Sequence, residues 1–160
     1  GGSIRVYAAR QGTYKLNESV SKILKEEKKT ILDIDYLKEF GNKVMFSKLE
    51  LHALLLDLKK QKKRIVGISA PSRASTLVNY VGLDVNILDS ILEIKGSHKI
   101  GKYMPGTLIP VLDEELLYRE QPDYALLLSW HIADELMANL RKRGYRGKFI
   151  VPLPKPRIVQ

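Results

Sequence analysis

Between Arg64 and Val81 the chain passes from a short apolar run to an apolar stripe with helical spacing. Ile65, Val66 and Ile68 lie between polar residues and turn formers, the mark of a short buried strand over Arg64–Ser69. Ala70 to Ser72 form a small-residue turn, and Ala74, Leu77, Val78 and Val81 then recur at i, i+3, i+4 and i+7, predicting a helix over Arg73–Val81. A strand feeding a helix through such a turn directs free backbone N–H groups beyond the sheet edge, an arrangement suited to anions.

The same reading extends in both directions. Ile4, Val6 and Ala8 alternate with Ser3, Arg5 and Tyr7, predicting a strand over Gly1–Arg10, followed by a turn at Gln11-Gly12. Asn17–Lys29 is a lysine- and glutamate-rich helix with a thin apolar edge of Val20, Ile23 and Leu24. Asp35–Phe40 reads as a short helix ending at Gly41. Val44–Gln61 is a long helix, with Leu51, Leu54, Leu55 and Leu58 on one face and Phe46, Leu49, Ala53 and Leu56 on the next. So wide an apolar surface predicts a largely buried helix.

Beyond the central unit, Asn86–Ile94 reads as a second strand, Lys95–Thr107 as a glycine- and lysine-rich loop, and Leu108–Leu112 as a brief extended piece. Asp113 caps a short helix carrying Leu116 and Leu117. Pro122-Asp123 is a turn, Tyr124–Leu128 a third buried strand, and Ile132–Arg143 an amphipathic helix closed by Gly144. Lys148–Val151 is the last core strand, and Pro152, Pro154 and Pro156 end the regular structure.

Alternating strands and helices imply parallel pairing, and so a sheet covered on both faces. The expected architecture is α/β: a Rossmann-like three-layer domain with a mostly parallel sheet over 63–160, preceded by N-terminal helices over 11–62. Ligands bind such sheets beyond the carboxyl ends of the strands. Four segments meet there: Ser69–Arg73, Glu93–Thr107, Ser129–His131 and the turn after Val151.

Composition narrows the chemistry. At 160 residues, 44% hydrophobic and 28% charged, the chain suits one soluble domain with a real core. No apolar run approaches a bilayer span and no signal-peptide pattern is present, so a cytoplasmic protein with no membrane partner is expected. Cysteine is absent and the histidines (His52, His98 and His131) are scattered, which excludes thiolate sites and argues against a zinc site. The net charge of +9 favours phosphate-bearing partners. Much of it lies on lysines of predicted exposed helix faces, and no aromatic platform or reading motif marks a nucleic-acid binder.

The turn Ser69-Ala70-Pro71-Ser72-Arg73 is not the glycine-rich dinucleotide fingerprint. It leaves a helix start with the Ser72, Ser75 and Thr76 hydroxyls and the Arg73 guanidinium, which reads either as a single-phosphate cradle or as a capped and solvated helix end. Glu93 stands about 20 residues beyond the turn, where a Rossmann acid meets ribose hydroxyls. Lys95, Lys99 and Lys102 can neutralise phosphates or remain solvated. His131, beside Trp130, is the one titrating candidate of the cleft. Without a nucleophile triad or paired carboxylates, the residues describe a binding domain more than an enzyme.

Three blocks, IVGISAPSRASTLVNYVG (Ile65 to Gly82), GKYMPGTLIP (Gly101 to Pro110) and PDYALLLSWH (Pro122 to His131), resemble the C-terminal domain of the S-adenosylmethionine-dependent nucleotide-sugar C-methyltransferases. The resemblance covers nearly the whole chain. It departs at Ser69, where the family's turn usually has glycine, at His131, where asparagine usually follows the tryptophan, and at Glu93, where aspartate is common. Gly1–Arg5, GGSIR, is similar to the end of the family's preceding methyl-donor domain, although Gly-Gly-Ser reads equally as a cloning scar.

The resemblance implies a domain that is inactive in methyl transfer by itself. It implies that S-adenosylmethionine and zinc serve the full-length family, with no cofactor in this domain. It further implies an upstream methyl-donor domain and a nucleotide-diphosphate sugar as partners. The substrate-facing set is then Ser69, Ala70, Ser72, Arg73, Ser75, Thr76, Glu93, Lys102, Tyr103, Trp130 and His131. Two other readings accompany it: a docking domain without its own ligand, and a stand-alone nucleotide-binding module.

Overall fold

A computed structural model describes residues 3–160, which divide into two compact units, one running to Met45 and the other Phe46–Gln160. In the first unit Ser3–Arg10 has no regular structure, which corrects the predicted strand over its described part; Gly1 and Gly2 lie outside the described residues. Alternation alone does not make a strand without a neighbour to pair with, and Ile4 and Val6 remain 79% and 76% exposed. The turn at Gln11-Gly12 forms, with Thr13 N–H donating to Arg10 C=O.

Helix α1 (Glu18–Lys28) starts where Asn17 accepts the Ser19 N–H at 2.9 Å. Asp33 then caps helix α2 (Ile34–Lys60) by accepting the amides of Asp35 and Tyr36. This one helix replaces the two predicted on either side of Gly41. A helix-interior glycine costs only about 1 kcal/mol against alanine, too little to interrupt 27 residues that otherwise favour helix.

Within the second unit, α2 buries Leu51, Leu55 and Leu58, while Phe46, Leu49 and Leu56 stay open. The expected largely buried helix is therefore corrected to one buried face.

The sheet runs β3-β2-β1-β4-β5-β6, formed by β1 (Ile65–Ile68), β2 (Ile91–Glu93), β3 (Val111–Asp113), β4 (Tyr124–Leu127), β5 (Lys148–Val151) and β6 (Arg157–Val159). All neighbours pair in parallel except β5 and β6. The edge strand β6 corrects the expectation that regular structure stops at the prolines. The proline-rich turn reverses the chain, and the proline-free Arg157-Ile158-Val159 is free to pair with β5.

Two other boundaries move. Of the strand predicted over Asn86–Ile94, only Ile91–Glu93 is extended. Asp84 instead starts a turn, its carboxylate accepting the Asn86 N–H and its carbonyl those of Ile87 and Leu88. A short apolar run fits a buried turn as well as a strand. The extended piece predicted at Leu108 begins at Val111, and Leu108 is 74% exposed. The N-cap of helix α4 (Glu115–Glu120) is Glu114 and not Asp113, which precedes it and accepts the Glu115 N–H at 2.9 Å.

Successive strand residues feed two separate cores. Ile65, Ile91, Leu126 and Ile150 pack with α2 and with helix α3 (Ser72–Val81). Val66, Leu92, Ala125 and Phe149 pack with α4 and helix α5 (Ala133–Lys142). The three-layer α/β architecture of the second unit follows from this alternation. Gly67 is required by close packing: a Cβ there would stand 2.9 Å from Ile91 Cγ1 and 3.0 Å from Leu128 Cδ1.

Candidate functional site

The strand order reverses direction between β1 and β4: β1 leads through α3 toward β2 on one side, and β4 leads through α5 toward β5 on the other. In open parallel sheets the crevice at this point, beyond the strands' carboxyl ends, is where ligands bind. Here it is bounded by the β1–α3 turn, the end of β2 and the 3-10 turn Trp130–Ile132 after β4.

Ser69 and Ser129 lie at its floor. Ser129 donates its hydroxyl to that of Ser69 at 3.1 Å, joining the ends of adjacent strands. Ser69 has φ +68°, the left-handed region that favours glycine. The turn thus keeps a glycine-like backbone while carrying a hydroxyl.

Ala70 is buried and both of its peptide groups are engaged. Its N–H donates to Glu93 Oε1 at 2.6 Å, and its C=O accepts from Lys99 Nζ at 2.6 Å. Glu93 is only 7% exposed. The carboxylate expected to face ribose hydroxyls therefore fastens the β1–α3 turn, and the Ala70 amide is already occupied by this internal anion.

Ser72 and Arg73 open α3 and are exposed. Pro71 is the N-cap, with no side-chain cap bond, so Ser72 is the first helical residue and not the cap. Its amide and that of Arg73 belong to the first turn, whose N–H groups lack intrahelical partners. Ser75 turns its hydroxyl back onto Ser72 C=O at 2.8 Å, and Thr76 is exposed on the next turn.

His131 is exposed across the crevice, and partial loss of hydration, followed by the Arg73 charge, holds its imidazole below the ordinary range. The site thus sets a permanent cation near enough to the imidazole to disfavour its protonated form. Half-buried Trp130 packs into both cores and anchors the segment carrying His131.

Lys102 and Tyr103 lie elsewhere. The Gly101 amide and Lys102 carbonyl bond to Val111, and Tyr103 bridges to Pro110. These pairings set both residues along the outer edge of the sheet, beside the start of β3. Pro105 C=O accepts from Asn79 Nδ2 at 2.8 Å, so the glycine- and lysine-rich loop is also tied to α3.

The sequence places Ser129 at the strand end without singling it out, and offers Lys99 as a phosphate neutraliser or a solvated loop lysine. The position of Ser129 immediately after a buried strand, beside Trp130, was the available signal for the first. Nothing local marked the second, whose partners lie 29 and 6 positions away.

A cavity of about 140 Å³ opens near the amino ends of β1 and β2, beside Arg64, Asp89 and Glu120. Its charges are already paired, Arg64 with Glu120 at 2.8 Å and with Asp89 at 3.4 Å, and Asp89 with Lys59 at 3.1 Å. Among the described residues no group of three or more acidic, histidine or cysteine side chains is placed to hold a metal. No described helix is long and apolar enough to cross a membrane.

The fold is that of a Rossmann-like α/β domain with a switch point between β1 and β4. Residues 1–154 match the C-methyltransferase C-terminal domain family, and the chain belongs to that family. It is 30% identical over 165 residues to the C-methyltransferase NovU of Streptomyces niveus, an alignment covering 99% of this chain and 38% of that protein. The chain therefore spans about two-fifths of the length of this curated relative.

Proposed function

We propose that this domain holds a nucleotide-diphosphate sugar at the β1/β4 crevice and walls the active site of a C-methyltransferase without itself carrying out methyl transfer. The observation that carries this reading is the exposed α3 start, where Arg73 and the first-turn amides stand near His131 and the Ser69–Ser129 pair at the crevice. An oxyanion gains there from a helix N-terminus and a guanidinium together.

Methylation draws on S-adenosylmethionine, and the residues here do not fit that donor. The β1–α3 turn has a serine where close approach of a nucleoside needs glycine, and Glu93 occupies the Ala70 amide. The donor, and any zinc, are assigned to a partner domain that precedes this one. Titration with a panel of nucleoside diphosphate glucoses, repeated with Arg73→Ala, tests the ligand assignment. An Arg73-independent response defeats it.

A second reading is favoured by a separate observation in the first unit. The apolar edge of α1 is uncovered, with Val20, Ile23 and Leu24 at 40%, 42% and 54% exposure, and α2 adds Phe40 at 57%. Such rows mark contact surfaces. On this reading the domain docks onto the methyl-donor domain and binds no ligand of its own; pull-down with and without Ile23→Asp separates it from the first.

A further inference from the structure

Ala70, Glu93 and Lys99 form a closed clasp. The Ala70 N–H reaches Glu93 Oε1, the Ala70 C=O receives Lys99 Nζ, and the same ammonium stands 3.6 Å from that Glu93 oxygen. The peptide so held follows Ser69, whose left-handed backbone is intrinsically unfavourable for a non-glycine residue. It directly precedes the Pro71 cap and the Ser72–Arg73 start of α3. Glu93 is nearly inaccessible, and a buried carboxylate is retained only when donors and a counter-charge satisfy it. Lys99 supplies that counter-charge from a loop segment flanked by Gly96 and Gly101, both at positive φ.

We propose that Lys99 is a positioning residue. It touches no ligand, but through the Ala70 peptide and Glu93 it fixes the β1–α3 turn in the geometry that presents the Ser72 and Arg73 groups. The ligand half of this inference rests on the function proposed above, whereas the clasp itself does not. The ammonium donates to the Ala70 carbonyl and stands 3.6 Å from Glu93 Oε1, which separates this role from that of a phosphate-neutralising loop lysine.

The test uses the full chain with Lys99→Met, Lys99→Arg and Glu93→Gln, reading amide hydrogen exchange at Ala70 by NMR and affinity for uridine diphosphate glucose by calorimetry. Lys99→Met is expected to speed exchange at Ala70 by about 10-fold, leave core amides such as Leu126 unchanged, and weaken binding by about 10-fold. Lys99→Arg should recover most of both. In a Glu93→Gln background, where no buried charge needs compensation, Lys99→Met should have a much smaller effect.

Unchanged exchange at Ala70 overturns the clasp. Weakened binding with unchanged exchange overturns it too, because Lys99 then touches the ligand directly. Faster exchange with unaltered affinity overturns the positioning role. If the wild-type chain binds no nucleoside diphosphate sugar, the proposed function fails, and the Ala70 exchange still decides the clasp.

Discussion

The hydroxyl of Ser129 bonds that of Ser69 at 3.1 Å, linking the carboxyl ends of β4 and β1 at the point where the sheet's connections diverge. One partner sits on an unfavourable backbone, since Ser69 has φ +68°. Ser69→Ala keeps that backbone and loses the bond, whereas Ser69→Gly loses the bond and relieves the backbone by roughly 1 kcal/mol. Ser69→Gly should therefore be more stable than Ser69→Ala by about 1 kcal/mol, read from denaturant midpoints at constant slope. Equal midpoints would contradict the left-handed assignment.

Gly41 and Gly67 make opposite predictions. Nothing lies within 4 Å of a Cβ built at Gly41, and its backbone is helical. Gly41→Ala should therefore stabilise the chain by up to about 1 kcal/mol. At Gly67 the added methyl meets Ile91 and Leu128, and Gly67→Ala should cost about 1–3 kcal/mol. Thermal melts of the two variants should move in opposite directions.

His131 reports on Arg73. Lost hydration, and after it the Arg73 charge, depress the imidazole in the folded protein, so between its folded and unfolded midpoints the unfolded chain binds more protons. Stability contributed by this group thus rises with pH through that window, up to the ordinary imidazole value of about 6.5. In Arg73→Ala the His131 midpoint, followed by NMR titration, should climb part of the way back. The hydration loss remains and prevents full recovery. A midpoint indifferent to Arg73 would separate the two residues.

How much of this was legible beforehand depended on range. The strand at Ile65, the α3 stripe from Ala74 to Val81 and the strand at Tyr124 are local patterns, and all three formed within a residue or so. The Ser3–Arg10 alternation failed because a strand needs a neighbour that no local pattern supplies. The break at Gly41 failed because one glycine is a small cost against a long helix.

In the site, the turn and the His131 segment could be placed from the strand order alone. The roles of Glu93 and Lys99 could not, since their clasp is made across the fold. The sequence groups Lys102 and Tyr103 with the crevice because their loop leaves the end of β2. Pairing with Pro110 and Val111 carries them to the outer edge of the sheet.

The central claim is that the crevice takes a phosphate-bearing sugar at the start of α3. Calorimetric titration of the full chain with nucleoside diphosphate glucoses, in parallel with Arg73→Ala, tests it most directly. Saturable binding that weakens by about 10-fold or more in the variant is the predicted result, the loss of a charge-assisted contact. No saturable binding, or equal affinity in both proteins, would contradict it.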